Sequence, residues 1–209
     1  MIGFKESLSI LKKYKIPICR SYFSLDLSVL EKRMKNLEKA VLKVYSRDVI
    51  HKTEMGAIMT DIRGVDELRR AYKKILENVF SFKDDARIES FVLQEQVKGL
   101  EVIIGGKTDE VFGKVIVFGA GGIYTEIYRD VSLRSLPLRK DDVEDMVRQT
   151  KVYEILRGYR GKKYDFTSLY NLILKSARMF LKEKIKEFDF NPVIVTEKGA
   201  YVVDWRFLR

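Results

Sequence analysis

The chain has 209 residues, 46% of them apolar, which is enough for one compact domain of two lobes and too few for two large domains. Its single cysteine, Cys19, excludes an internal disulfide and a cysteine-built zinc site. No apolar run reaches the roughly 20 residues of a membrane span, and the N-terminus lacks the layout of a signal peptide. We therefore expect a cytoplasmic protein. The balance of 40 basic against 30 acidic residues gives a net charge of +10, which suits a nucleic acid, an acidic partner subunit or a phosphate-bearing ligand without choosing among them.

The first part of the sequence alternates helical and extended patterns. Apolar residues at helical spacing predict three helices, at residues 4–14, 27–37 and 64–79. Runs rich in β-branched residues predict two strands, at 40–46 and 57–62, joined through a polar turn at 51–56. We expect this first lobe to end near residue 88.

The second part begins with strands and ends with a hairpin. We expect three runs to be antiparallel neighbours, at residues 90–97, 101–104 and 114–118. Two helices follow, at 141–156 and 167–185, and a closing hairpin pairs 192–196 with 200–205. The sequence therefore predicts an α+β fold with two lobes, residues 1–88 and 89–209, and a ligand cleft between them.

Lys43 lies within an apolar strand, between Leu42 and Val44. The alternation of a strand allows it to face solvent, or to deliver an ammonium group into a cleft. A cation held on a rigid strand is what a phosphate site requires.

Two other patterns admit both a structural and a functional interpretation. The glycine-rich run Gly119–Gly122 suits a tight turn, or a loop whose amide groups cradle phosphate. Asn191 and Asp204 flank the last hairpin almost symmetrically, so they are predicted to be cross-strand or diagonal neighbours. One amide oxygen and one carboxylate could hold Mg²⁺, although a turn asparagine and a surface acid would look the same.

His51 is the one histidine of the sequence. This excludes a metal site built from several imidazoles and a triad that needs a separate histidine. A lone histidine is usually a surface or hydrogen-bonding residue. The functional alternative is a nucleophile that accepts a phosphoryl group.

Short segments spread along nearly the whole chain resemble one family when they are taken in order. They are Val41–Val44, Ile50–Glu54, Gly99–Gly105, Asp109–Gly113, Val117–Ile123, Asp130–Arg134, Gly158–Gly161, and Asp189–Pro192 with Val203–Asp204. The family is the β subunit of ADP-forming (NDP-forming) acetyl-CoA synthetases, an ATP-grasp module related to succinyl-CoA synthetase β. The resemblance implies a single ATP-grasp domain over residues 1–209.

The resemblance also implies a nucleotide site for ADP or ATP. In it, Lys43 contacts the phosphates, Glu95 and the backbone of Val97 hold the base, and Glu101 meets the ribose. Asn191 and Asp204 would bind Mg²⁺.

The remaining implied roles concern phosphoryl transfer. His51 would relay a phosphoryl group between the nucleotide and a histidine of an α subunit, which carries the acyl-CoA site in a complex expected to be α2β2. Lys52, the loop to Gly56, and Arg134 would supply charge and amide groups around that phosphoryl group.

Departures from the family pattern leave alternatives open. Ala57 stands where a second glycine is usual, Ala120 replaces a leucine and Lys114 replaces a proline. Because a Cβ at position 57 could obstruct the approach of phosphate, a nucleotide-binding subunit without turnover is one alternative. A basic nucleic-acid-binding domain is the other, but only the net charge supports it.

Overall fold

The computed structural model describes residues 1–49, 52–122 and 130–209, with the side chain of Arg160 excepted. The described helices are α1 (Phe4–Lys13), α2 (Leu27–Met34), α3 (Gly64–Phe82), α4 (Lys140–Arg148), α5 (Val152–Leu156) and α6 (Phe166–Lys182), with a short 3-10 helix at Tyr159–Gly161. The described strands are β1 (Ser21–Ser24), β2 (Ala40–Tyr45), β3 (Ile58–Ile62), β4 (Ser90–Glu95), β5 (Leu100–Asp109), β6 (Gly113–Ala120), β7 (Val131–Ser135), β8 (Glu187–Val195), β9 (Ala200–Val202) and β10 (Arg206–Leu208).

The chain divides into two compact units, each with its own antiparallel sheet. The first unit contains Cys19–Val97 and Gly3–Glu6, and the second contains Lys98–Arg209, Met1–Ile2 and Ser7–Ile18. Among the described residues, no helix is long and apolar enough to cross a membrane.

The first unit has a four-stranded sheet in the order β1-β4-β2-β3. Helices α2 and α3 cover one face, where Leu30, Leu68 and Ile75 pack with Leu42 and Phe91. Each of these five side chains is at most 1% exposed, so this face is the core of the unit.

The second unit has a sheet in the order β10-β8-β5-β6-β7, with β9 paired to the edge of β8. Helices α4 and α6 contact its inner face. A row of edge and tilted ring contacts starts at Phe180 of α6, which contacts Phe188 of the sheet; Phe188 contacts Phe190, and Phe190 contacts Phe207. Lys114, at the position of the family's proline, donates to the carbonyl of Glu183 at 3.0 Å and so satisfies an acceptor at the end of α6.

The structure corrects one predicted pairing. The strand expected at 90–97 is β4, but it does not pair with β5; it lies between β1 and β2 in the other sheet. Five of its six residues are buried, which is the pattern of a central strand. The first unit therefore extends to Val97 and not to residue 88, and residues 7–18 belong with the second unit.

Candidate functional site

Lys43 is a buried cation on the central strand pair of the first sheet. Leu42 and Val44 point into the core, so alternation turns Lys43 to the opposite face of the sheet. It is nevertheless only 3% exposed, and its Nζ donates to Oε1 of Gln94 at 3.1 Å. The solvent-facing interpretation is therefore wrong, and the ammonium group is held in place by β4.

A chain of polar groups continues from that contact to the start of β1. Gln94 donates from Nε2 to Oγ of Ser21 at 3.0 Å, and Ser21 donates to the carbonyl of Cys19 at 2.7 Å. Burial raises the pKa of the Cys19 thiol to about 11, so this nearby group stays protonated at neutral pH and adds no negative charge beside Lys43. These contacts fix the amide of Gln94, and Gln94 in turn orients Lys43.

The loop after β2 carries the predicted relay and phosphate residues. His51 lies outside the described residues, as does Ile50. The loop then closes in a turn, in which the amide of Ala57 donates to the carbonyl of Lys52 at 2.7 Å. Lys52 is partly exposed and stands at the first described position of this turn.

Gly56 needs its glycine for two separate reasons. Its φ angle of +59° is one that L residues rarely adopt, and an added Cβ would lie 2.4 Å from Nδ2 of Asn78. Asn78 of α3 donates to the carbonyl of Gly56 at 3.0 Å. The hydrogen bond from Asn78 therefore holds the turn against α3, and the absence of a side chain at Gly56 allows this close contact.

The methyl group of Ala57 is not a barrier in this loop. Its residue is 0% exposed and belongs to the core cluster of the first unit, with Leu42 and Val44. Because the Cβ is enclosed in the core, it is not presented to a ligand. The obstruction expected at position 57 does not arise.

Glu95 and Val97 lie at the end of β4 and beyond it. The amide of Glu95 donates to the carbonyl of Arg20 at 2.8 Å, and the amide of the intervening Gln96 donates to the carbonyl of Lys39 at 2.9 Å. The side chain of Gln96 also accepts from the amide of Asp61 at 2.7 Å. Asp61 itself has a φ of +65°, which is uncommon for a residue other than glycine. The Gln96 side chain is therefore bonded to a residue whose backbone is strained.

Glu101 is an exposed residue near the start of β5 in the second unit. The glycine-rich run packs directly against it: the amide of Gly121 donates to the carbonyl of Glu101 at 2.9 Å, and a Cβ on Gly122 would lie 2.9 Å from Oε2. A Cβ on Gly119 would lie 2.4 Å from the carbonyl oxygen of Asp130. Close packing between strands thus accounts for these glycines, and a phosphate cradle is not needed to explain them.

Asn191 and Asp204 lie opposite each other when the register of the last hairpin is continued. The β8–β9 ladder pairs Val193 with Val202, and the amide of Val203 donates to the carbonyl of Pro192 at 3.2 Å. One further step along both strands pairs Asn191 with Asp204. The neighbour relationship predicted from the sequence therefore agrees with the register.

This pair fits a magnesium ion that is shared with a ligand. Within the described residues, no group of three or more His, Cys, Asp or Glu side chains could hold a metal. One carboxylate and one amide oxygen are too few for a closed protein cage, but they suit Mg²⁺, which usually keeps several waters and binds substrate phosphates.

Arg134 of β7 is held by three acceptors and lies against open space. It donates to Oγ of Ser132 at 3.1 Å, to the carbonyl of Leu133 at 2.8 Å and to Oε1 of Gln149 at 2.8 Å. Arg134 lines a cavity of about 830 Å³ on the second sheet. Gly105 is also in the lining, and its lack of a side chain leaves space there. A fixed guanidinium beside an open cavity can bind an anion.

The glutamines are the site residues that the sequence analysis missed. Gln94, Gln96 and Gln149 are the glutamines of the sequence, and each accepts a hydrogen bond that orients another group. Their rarity in a chain rich in Lys and Glu was visible in the sequence. It did not reveal the partners, because each bond joins residues far apart in the chain.

Comparison with known families gives one match that spans the chain. Residues 2–208 match the ATP-grasp domain family. The sequence is 36% identical to acetate–CoA ligase (ADP-forming) II of Archaeoglobus fulgidus over 97% of this chain, but it spans only 29% of that longer protein. It is 35% identical to the β subunit of acetate–CoA ligase (ADP-forming) II of Pyrococcus furiosus, over 97% of this chain and 89% of the relative.

Two solved structures of one archaeal protein are also similar. They are of the dinucleotide-forming acetyl-coenzyme A synthetase 1 of Ca. Korarchaeum cryptofilum. The complex with coenzyme A, Ca-AMPCP and HgCl+ has a TM-score of 0.91 and 33% identity, over 98% of this chain and 91% of the other. The complex with coenzyme A and Mg-AMPPCP, with its phosphohistidine segment pointing towards the nucleotide binding site, has a TM-score of 0.82 and 32% identity, over 100% of this chain and 92% of the other.

Proposed function

Because this chain belongs to the ATP-grasp domain family, in the branch that holds the β subunits of ADP-forming acetate–CoA ligases, we propose that it is the nucleotide-binding subunit of such an enzyme. With an α partner, it would complete the reaction acyl-CoA + ADP + phosphate ⇌ acid + ATP + CoA. An α2β2 assembly is the proposed complex.

The observation that carries this proposal is the buried ammonium of Lys43. A charge that is 3% exposed is costly to desolvate, and a structural role would be served as well by an apolar side chain. Its contact with Gln94 holds it on a rigid strand, as binding of nucleotide phosphates requires.

Residues at the end of β4 and the start of β5 would bind the nucleoside. The Glu95 carboxylate and the backbone of Val97 hold the base, and Glu101 accepts hydrogen bonds from the ribose. The amides of Glu95 and Gln96 donate to the carbonyls of Arg20 and Lys39, and the Gln96 side chain accepts from the amide of Asp61. These bonds support that role, because they restrict the backbone at the end of β4 before a ligand binds.

Asn191 and Asp204 would hold Mg²⁺ together with phosphate oxygens and water. When bound, Mg²⁺ neutralises charge on the phosphates and orients them. Lys52 and Arg134 add positive charge around the transferred phosphoryl group, and Gln149 keeps the Arg134 fork in one orientation.

His51 would carry the phosphoryl group between the two subunits. A ring nitrogen of neutral His51 attacks the phosphorus held by the partner's histidine, and the bond from phosphorus to that histidine breaks. A β-phosphate oxygen of ADP then attacks the same phosphorus, the bond to His51 breaks, and ATP and neutral imidazole result.

The decisive experiment reconstitutes the chain with its α partner and measures ATP formation from acetyl-CoA, ADP and phosphate. We expect activity only when both subunits are present. ADP with Mg²⁺ at about 100 times its dissociation constant should also stabilise this chain alone by about 2.7 kcal/mol. Failure to bind any nucleotide would refute the site. Binding without turnover with any acyl-CoA would instead identify a subunit that only binds nucleotide.

A further inference from the structure

The second unit has an open cavity of about 440 Å³ that contains none of the residues assigned to the nucleotide. Three stretches of chain line it: Lys98–Gly99, Lys162–Tyr164 and Thr196–Lys198. Four of these residues are exposed lysines, and Glu197 is the one acidic residue in the lining.

The backbone around this cavity is held by hydrogen bonds and close packing. The turn between β8 and β9 closes through Thr196, whose amide donates to the carbonyl of Gly199 at 2.8 Å. The amide of Asp165 donates to the carbonyl of Thr196 at 2.9 Å, which ties the stretch 162–164 to that turn. A Cβ on Gly99 would lie 2.3 Å from the carbonyl oxygen of Val195. The absence of a side chain at Gly99 therefore lets the stretch Lys98–Gly99 lie close to the end of β8.

The four lysines are not neutralised by their surroundings. Lys98, Lys162, Lys163 and Lys198 form no ion pair with any residue that the structure describes, whereas Lys13 pairs with Glu183 at 2.7 Å elsewhere in the same unit. The lining therefore carries three more positive than negative charges. Ammonium groups that line one cavity repel one another, and a bound anion reduces that repulsion.

We propose that this lysine cavity binds a compact, multiply charged phosphate anion of the size of pyrophosphate or tripolyphosphate. Each ammonium offers three donors and a full point charge, which suits phosphate oxygens that can be approached from several sides. Tyr164 is the one aromatic residue of the lining, so the cavity lacks the series of aromatic side chains on which successive bases of a single-stranded nucleic acid stack. The excess positive charge and the single aromatic side chain of the lining thus favour a small anion.

The test is titration of the intact chain with inorganic pyrophosphate and tripolyphosphate by calorimetry, without Mg²⁺ or nucleotide. We expect saturable binding at one site, weakened by salt. The double variant Lys162→Glu/Lys163→Glu should weaken it by about tenfold or more, because two attractive charges become repulsive. The milder Lys162→Gln/Lys163→Gln should weaken it less and keeps the test valid if the charge reversal impairs folding.

The matched control is Lys32→Glu/Lys35→Glu, which changes the net charge equally on exposed residues of the first unit. It should leave pyrophosphate binding within about twofold of wild type, apart from a small long-range effect. Equal losses in both double variants, or the absence of saturable binding, would overturn the proposal. Displacement of pyrophosphate by Mg-ADP would show that the anion occupies the nucleotide site, and tighter binding of a single-stranded oligonucleotide would show a nucleic-acid surface instead.

Discussion

The ammonium of Lys43 on β2 and the amide oxygen of Gln94 on β4 are 3.1 Å apart, in a hydrogen bond between residues separated by 51 positions in the sequence. The bond sets the direction of a charge that is otherwise enclosed by protein. Gln94 is itself held by its donation to Ser21 at 3.0 Å. Binding of a nucleotide should therefore depend on both partners, but on Lys43 more strongly.

Replacing Lys43 by methionine keeps an unbranched side chain that is one heavy atom shorter and removes its charge. We expect Lys43→Met to weaken Mg-ADP binding by about tenfold to a hundredfold, since a hydrogen bond to a charged group contributes about 1.5–3 kcal/mol. Calorimetric titration measures this. The control Lys73→Met removes an exposed lysine of α3 and should bind as wild type. An unchanged affinity in Lys43→Met would mean that Lys43 does not contact the phosphates.

Replacing Asp204 tests whether it binds metal. Asp204→Ala should weaken Mg-ADP much more than metal-free ADP, because it removes the charged ligand opposite Asn191. The ratio of the two dissociation constants is the quantity to measure, and Asp84→Ala, at an exposed position, serves as the control. Equal losses with and without Mg²⁺ would assign Asp204 to the register of the hairpin.

Replacing His51 tests the proposed phosphoryl relay. His51→Ala should leave nucleotide binding and the melting temperature almost unchanged and abolish complete turnover with the α partner. Wild type incubated with labelled ATP should carry an acid-labile, base-stable phosphate, which the variant lacks. Wild-type rates of acyl-CoA-dependent ATP synthesis in His51→Ala would remove the relay assignment.

The Gly56 turn yields a stability prediction with an internal control. Gly64 also has a positive φ, +78°, but an added Cβ there meets nothing within 4 Å. Gly64→Ala should lower the free energy of unfolding by about 1 kcal/mol for backbone strain alone. Gly56→Ala should lower it by about 1 kcal/mol more, because its methyl displaces the Asn78 amide and breaks the bond to the Gly56 carbonyl. Equal effects in urea unfolding would show that Asn78 adapts freely.

Glu183 should make the stability depend on pH. Hydrogen bonds from Lys13 and Tyr14, at 2.7 and 2.9 Å, lower the pKa of its carboxyl below the usual 4.5. Since the folded pKa is the lower one, the carboxylate stabilises the fold above the unfolded pKa, and this contribution is lost as the pH falls through the folded pKa. Glu183→Gln should be less stable than wild type at pH 7, and the difference should shrink below pH 4.5. A difference that does not change with pH would contradict this.

Local periodicity was enough to predict most helices and several strands. The α3 pattern is long and strongly amphipathic, and β5 and β6 carry β-branched residues bounded by turns, so their positions followed from neighbours in the chain. The pairing of β4 did not follow. Its apolar run fits the interior of either sheet, and only contacts with β1 and β2 decide between them.

By itself, the sequence determined the α+β composition, the family to which the chain belongs and the neighbour relation of Asn191 and Asp204, because these depend on residue types in order and on counting along one hairpin. The tertiary structure alone decided that Lys43 is buried, that Ala57 faces the core, and that Gln94 and Gln149 orient charged groups. Each of these is a contact or an enclosure made by residues distant in the chain. Burial is a property of what packs around a residue, and no local pattern of apolar and polar positions contains it.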